Sequence, residues 1–197
     1  MEELKLPHRI VLVNYLGRQR QPVKSPEMLE KWVSLAVVFE AMMLKKIAFK
    51  GTQLIINNPD KTGHSMIDDT VTFLKDINDK SNPEKWLSGF VSNSNAYHHV
   101  LDNLKENKLL ESKRSSFLGI KGKEKTVIAS EKIAQIVKSF IAQISVDPKR
   151  TFRDELTLQI ILASGLADID VSKIAQRKQV DGEAAEFFNQ AIKILKE

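Results

Sequence analysis

Side chains that could do chemistry are few in this chain, and their spacing favours binding over catalysis. His98 and His99 are adjacent. On a helix they would point about 100° apart, so they cannot chelate one metal from the same face. His8 and His64 sit on separate segments, with no HExxH or similar spacing. No metal and no cofactor is therefore expected. Glu40 is the one carboxylate in the apolar stretch from Trp32 to Leu44. It reads either as a buried acid of raised pKa or as the structural partner of an arginine or a helix end. Ser164-Gly165 and Ser88-Gly89 lack the glycine-flanked strand-turn-helix context of a hydrolase nucleophile, and Gly51 and Gly63 are isolated turn residues, not a phosphate-cradling loop. No catalytic residue is assigned, and an enzyme is not expected.

The segment with the most chemical character runs from Asn103 to Ile128. A charged amphipathic helix leads into Phe117-Leu118-Gly119-Ile120 and then into Lys121-Gly122-Lys123-Glu124-Lys125. The basic run is expected at the tip of an exposed hairpin whose second strand spans Lys125 to Ala129. Apolar side chains beside clustered lysines suit an anionic surface. Phe117, Leu118 and Ile120 would insert among lipids, while Lys113, Arg114, Lys121, Lys123 and Lys125 attract headgroups. In the alternative reading Phe117 and Ile120 turn inward to cover the protein, and the lysines only keep the tip soluble. The other basic cluster, Gly17-Arg18-Gln19-Arg20-Gln21, reads as solvated charge.

The elements that must position this hairpin are mostly helical. Ser25-Pro26-Glu27 is a helix start, with Ser25 as cap and Pro26 at the first helical position. The helix that follows, to about Lys46, has almost no polar face and is expected at the centre of the fold. Ile47-Ala48-Phe49 and Leu54-Ile55-Ile56 around Lys50-Gly51-Thr52 predict a short hairpin. Ser65 and Asp68 approximate a capping box for a helix to about Asn78, and Asn82-Pro83-Glu84 opens another that carries Trp86, Leu87 and Phe90. Helix 95–108 turns Val100, Leu101 and Leu104 inward. Ser130 caps a helix whose Ile133, Ile136, Val137, Phe140, Ile141 and Ile144 fall at helical spacing. Asp147-Pro148 breaks the chain before a helix from about Arg150. The last helix, 182–196, buries Ala184, Phe187, Phe188, Ala191 and Leu195. The fold class is mainly α: a single-domain helical bundle around a central apolar helix, with six to eight helices and two small β-hairpins.

Composition agrees with that architecture. A chain of 197 residues with 42% hydrophobic content fits one domain, spanning 1–197, with a continuous core. A formal charge of +5 favours acidic partners. Cysteine is absent, which excludes disulfides and thiolate chemistry and fits a reducing compartment. The N-terminus begins acidic and lacks the apolar core of a secretory signal, so a cytoplasmic location is expected. The longest apolar run is shorter than the roughly 18 to 20 residues that cross a bilayer. Membrane contact would then be peripheral, on the cytosolic face.

Several segments, in order, resemble the Golgi phosphoprotein 3 (GPP34) family. Glu40-Ala41-Met42-Met43-Leu44-Lys45-Lys46-Ile47 is similar to its central helix running into a first hairpin. Leu104-Lys105-Glu106-Asn107-Lys108-Leu109-Leu110 is similar to the helix end before its longer hairpin, with Lys108 where glycine is usual. Phe117-Leu118-Gly119-Ile120 falls where the family carries its hydrophobic hairpin, and Asp147-Pro148-Lys149-Arg150 is similar to an Asp-Pro-x-Arg helix start. The likeness is most recognisable over 25–166. It implies a mostly helical single domain that binds membranes peripherally through phosphatidylinositol 4-phosphate. In eukaryotic members a tryptophan and several arginines hold the headgroup, and the hairpin enters the bilayer. Positions matching those arginines fall on Ser34 and about Ser94 and Tyr97, with Trp32 near the tryptophan position. Trp32, Tyr97 and His98 are accordingly the candidate headgroup pocket. Without bidentate guanidinium contacts it lacks the donors best suited to a phosphate. The short N-terminus, without the basic leader of eukaryotic members, implies a prokaryotic relative that meets other anionic lipids or no membrane at all.

The leading expectation is a non-enzymatic, peripheral module that binds phosphatidylinositol 4-phosphate or another anionic lipid. A winged-helix nucleic-acid binder is the alternative, with helix 95–108 as recognition helix and the hairpin as wing. Asp102 and Glu106 equip that helix poorly for a phosphate backbone, so nucleic acid is disfavoured. A scaffold for the cytosolic tails of other proteins is the third reading.

Overall fold

Eight helices and two antiparallel hairpins follow one another among the described residues of a computed structural model: 1, 4–17, 22–117, 120–167 and 183–196, with backbone alone at 115–117, 120–123 and 183. They are α1 (Leu6–Asn14), α2 (Pro26–Met43), β1 (Ile47–Lys50), β2 (Gln53–Ile56), α3 (Ser65–Asp76), α4 (Pro83–Asn93) and α5 (Ala96–Glu106). After these come β3 (Leu110–Phe117), β4 (Ile120–Ile128), α6 (Glu131–Val146), α7 (Phe152–Ser164) and α8 (Glu183–Lys196). The single-domain, mainly helical fold class holds.

The helix starts read from sequence are real caps. Ser25 Oγ accepts the Met28 amide, Asn82 Oδ1 the Lys85 amide and Ser130 Oγ the Ile133 amide. Each satisfies a donor that the first turn leaves without an intrahelical acceptor. The expected Ser65–Asp68 capping box does not form. Asp68 instead accepts the backbone N–H and hydroxyl of Thr62, both at 2.7 Å, and His64 becomes the N-cap. The true capping box is Thr151–Asp154, at the start of α7.

The two helices that feed the hairpins end alike. After α2, Lys45 N–H bonds Met42 O and Lys46 N–H bonds Ala41 O. After α5, Lys108 N–H bonds Lys105 O and Leu109 N–H bonds Leu104 O. These are Schellman motifs, and each puts a lysine in the left-handed region, at φ 57° in both cases. That turn stops α2 at Met43, short of the expected Lys46.

The core has two central helices where the sequence promised one. Every residue of α1 is buried, as is α2 from Trp32 to Ala41. An aromatic cluster joins α2 to α8: Phe39, Phe49 and Trp86 pack around Phe187, with Phe49 and Phe187 ring centroids 4.0 Å apart. On α6 the expected face is buried at Val137, Phe140, Ile141 and Ile144 and half-buried at Ile133, but Ile136 is 46% exposed; Ala134 points inward in its stead. Ile136 lies about 100° around the helix from Val137 and lines a groove shared with Met1 and Leu4.

Candidate functional site

The hairpin β3–β4 is longer than expected and differently built. Its register pairs Leu110 with Ile128, Lys113 with Lys125 and Arg114 with Glu124, and closes with Phe117 opposite Ile120 after an irregularity between Arg114 and Ser116. Lys121, Lys123 and Lys125 therefore stand along β4, not at a tip. Among the described side chains its base packs on the body: Leu110, Val127 and Ile128 are buried, whereas Ser112, Lys113, Arg114, Glu124 and Lys125 are exposed. At about 3.3 Å per residue, the part of β3 beyond Leu110 reaches roughly 20 Å from that base.

Charge on this arm is mixed, a point the sequence reading passed over. Lys113 Nζ pairs with Glu111 at 2.8 Å, and Arg114 with Glu124 at 3.3 Å, all four side chains well exposed. The Ser112 hydroxyl, then Arg114, hold the Glu124 carboxyl below the usual range. Lys125 makes no ion pair with any described residue and faces Lys113 directly across the strands. Leu118 lies outside the described residues. The side chains of Phe117, Ile120, Lys121 and Lys123 do so too, although their backbones complete the two strands.

The candidate headgroup residues do not share an open pocket. Trp32 is 2% exposed, packed in the core with its indole N–H unpartnered among the described residues. Tyr97 is buried, and its hydroxyl lies 2.8 Å from that of Tyr15. Burial pushes the pKa of both phenols up. His98 is exposed beside the Tyr97 ring.

Of the three positions expected to match the family's arginines, Ser34 and Tyr97 meet at a residue the sequence did not single out, and Ser94 shares one of its amide donors. Glu30 Oε1 accepts the Ser34 hydroxyl at 3.2 Å and the Ala96 amide at 2.9 Å, and Oε2 accepts the Tyr97 amide at 3.0 Å. Ser94 Oγ also accepts from the Ala96 amide. A helix N-terminus attracts anions because its first amides lack partners and its dipole is positive there. At α5 that place is filled by the protein's own carboxylate.

Glu40 takes the structural role offered for it. It is 1% exposed, and its two oxygens accept from Arg153 Nη2 at 2.8 Å and from the Leu6 amide at 2.9 Å, which makes it both the partner of an arginine and the acceptor at the start of α1. Arg9 is similarly consumed, by Asp154 at 2.6 Å and by the Phe140 ring beneath it. Among the described residues, no group of three His, Asp or Glu is placed to hold a metal, and no helix is long and apolar enough to cross a membrane.

Compared with known families, the chain matches the model described as Golgi phosphoprotein 3 (GPP34) over residues 6–194. The match extends past the 25–166 stretch to take in α1 and nearly all of α8. No curated protein matches it.

Proposed function

The chain belongs to the Golgi phosphoprotein 3 family, and on that footing we propose that it binds anionic membrane surfaces peripherally, through hairpin β3–β4. The reading rests chiefly on Lys113 and Lys125, two exposed lysines directly opposite one another on a projecting arm. Like charges so placed destabilise a strand pair; Glu111 offsets this at Lys113, and an anionic surface would offset it at Lys125. Phe117, Leu118 and Ile120, where the hairpin closes, would supply apolar insertion; Lys113, Arg114, Lys121, Lys123 and Lys125 would attract headgroups. Attraction is general, not stereospecific, because Glu30 already satisfies the α5 amides. A phosphate brought there would meet a carboxylate instead of a guanidinium fork. Phosphatidylinositol 4-phosphate is thus one anionic lipid among others for this protein.

Flotation with vesicles tests this. Neutral vesicles should leave the protein behind, and anionic ones should carry it at low salt and release it at high salt. At about 1 kcal/mol per basic residue near an anionic surface, Lys113→Gln with Lys125→Gln should weaken binding by about 2 kcal/mol, roughly thirtyfold. Phe117→Ser with Leu118→Ser should abolish it. Unchanged binding by both folded double variants would remove the hairpin from the interface. Preference for the phosphoinositide at matched charge would mean a headgroup site rebuilt around other residues.

A further inference from the structure

A second cluster of titratable groups lies away from the hairpin tip, where α1 meets α3 and α5. Lys5, His8, His64, His99, Asp102 and Glu106 line one cavity of about 390 Å³. His8 is its inner wall, 9% exposed, with Nε2 3.0 Å from Asn103 Oδ1. The Asn107 side-chain amide also donates to that oxygen, so Oδ1 is the acceptor and His8 carries its proton on Nε2. Nδ1 is then a bare acceptor, buried and without a partner among the described residues. Lys5 Nζ sits 3.2 Å from His64 Nδ1.

We propose that His8 is an acid-sensitive latch between α1 and α5, released when its buried Nδ1 takes a proton. The new N–H would have no acceptor, and the imidazolium would stand beside the Lys5 ammonium and His64. Both consequences are costly in a buried setting. Burial chiefly, with Lys5 and His64 adding to it, holds the His8 pKa below its ordinary value; the Asn103 bond and Glu40 act the other way. Other charges facing this junction do not cancel the penalty. Glu40 is committed to Arg153 and Leu6, and Asp154 to Arg9 on the α7 side. Asp102 and Glu106 lie on the outer, exposed wall.

The sign follows from linkage. A group whose folded pKa is lowered costs nothing while it is neutral in both states. As the pH falls through about 6.5 the unfolded chain gains a proton that the folded one resists, so stability is lost from there downward. The latch's acceptor, Asn103, lies on α5, the helix from which β3 departs.

The test is the urea midpoint of the full chain between pH 8 and pH 5, with hydrogen exchange resolved by helix. The wild type should keep its midpoint from pH 8 to 7 and lose it between pH 6.5 and 5, with α1 and α5 losing protection before α4 and α8. His8→Gln should flatten that loss. Asn103→Asp places a carboxylate against the imidazole and should hold the midpoint at pH 5, an opposite shift that remains readable if His8→Gln does not fold. If Asn103→Asp loses its midpoint in parallel with the wild type, or if a folded His8→Gln falls as steeply, His8 is not the latch.

Discussion

Removing Arg153 should harm this protein more than removing its partner Glu40, although Arg153 is the more exposed of the two. The Glu40 side chain is 1% exposed and that of Arg153 is 31% exposed. Arg153→Met leaves a carboxylate in the core with only the Leu6 amide to satisfy it, and an uncompensated buried charge costs about 3–5 kcal/mol. Glu40→Met frees a guanidinium that can turn into water but strands the Leu6 amide, a loss of about 2–3 kcal/mol. The double variant loses both charges together and keeps only the stranded amide, so it should cost about 2 kcal/mol. The cycle therefore closes with a coupling near 3 kcal/mol or more. Urea unfolding followed by far-ultraviolet circular dichroism at pH 7 reads this directly. With an m-value of about 2 kcal/mol/M, Arg153→Met should move the midpoint down by roughly 1.5–2.5 M, at unchanged m. Additive single variants, or an Arg153→Met midpoint within about 0.3 M of wild type, would refute the reasoning that Glu40 fixes the start of α1 through a buried charge.

Two further substitutions probe the elements around the hairpin. Lys108→Gly replaces a side chain held at φ 57° in the turn that launches β3. Relief of about 1–2 kcal/mol of left-handed strain, less glycine's larger entropy in the unfolded chain, should stabilise the protein by about 0.5–1 kcal/mol in the same assay. Lys45→Gly, at the matching turn after α2, should do the same; no gain at either site would mean the lysines bear no strain. Glu30→Ala strands the Tyr97 amide, since the Ala96 amide keeps Ser94 Oγ. A loss of about 1–3 kcal/mol is expected, and an unaltered midpoint would show that water serves α5 as well as Glu30 does.

The sequence by itself determined what local chemistry can determine. Ser25, Asn82 and Ser130 announce their helices because a capping oxygen acts within three residues of its amide. The stripes on α5 and α8 are legible because helical spacing alone decides which side chains share a face. The short hairpin follows from β-branched residues around Gly51. Local signals fail where another group competes or no cap announces the helix: Thr62 captures Asp68, and α1, unlike α2, has neither a polar face nor a capping side chain. The extent of β4 was missed since a lysine-rich strand looks like a turn until its partner strand supplies the backbone hydrogen bonds. The site residues with the largest consequences were decided by tertiary structure alone. Glu30 reaches α5 across 66 residues, His8 reaches Asn103 across 95, and Glu40 meets Arg153 across 113. No window of sequence carries those separations. Only the packed helices bring each group to its partner and shut out the water that would otherwise serve it.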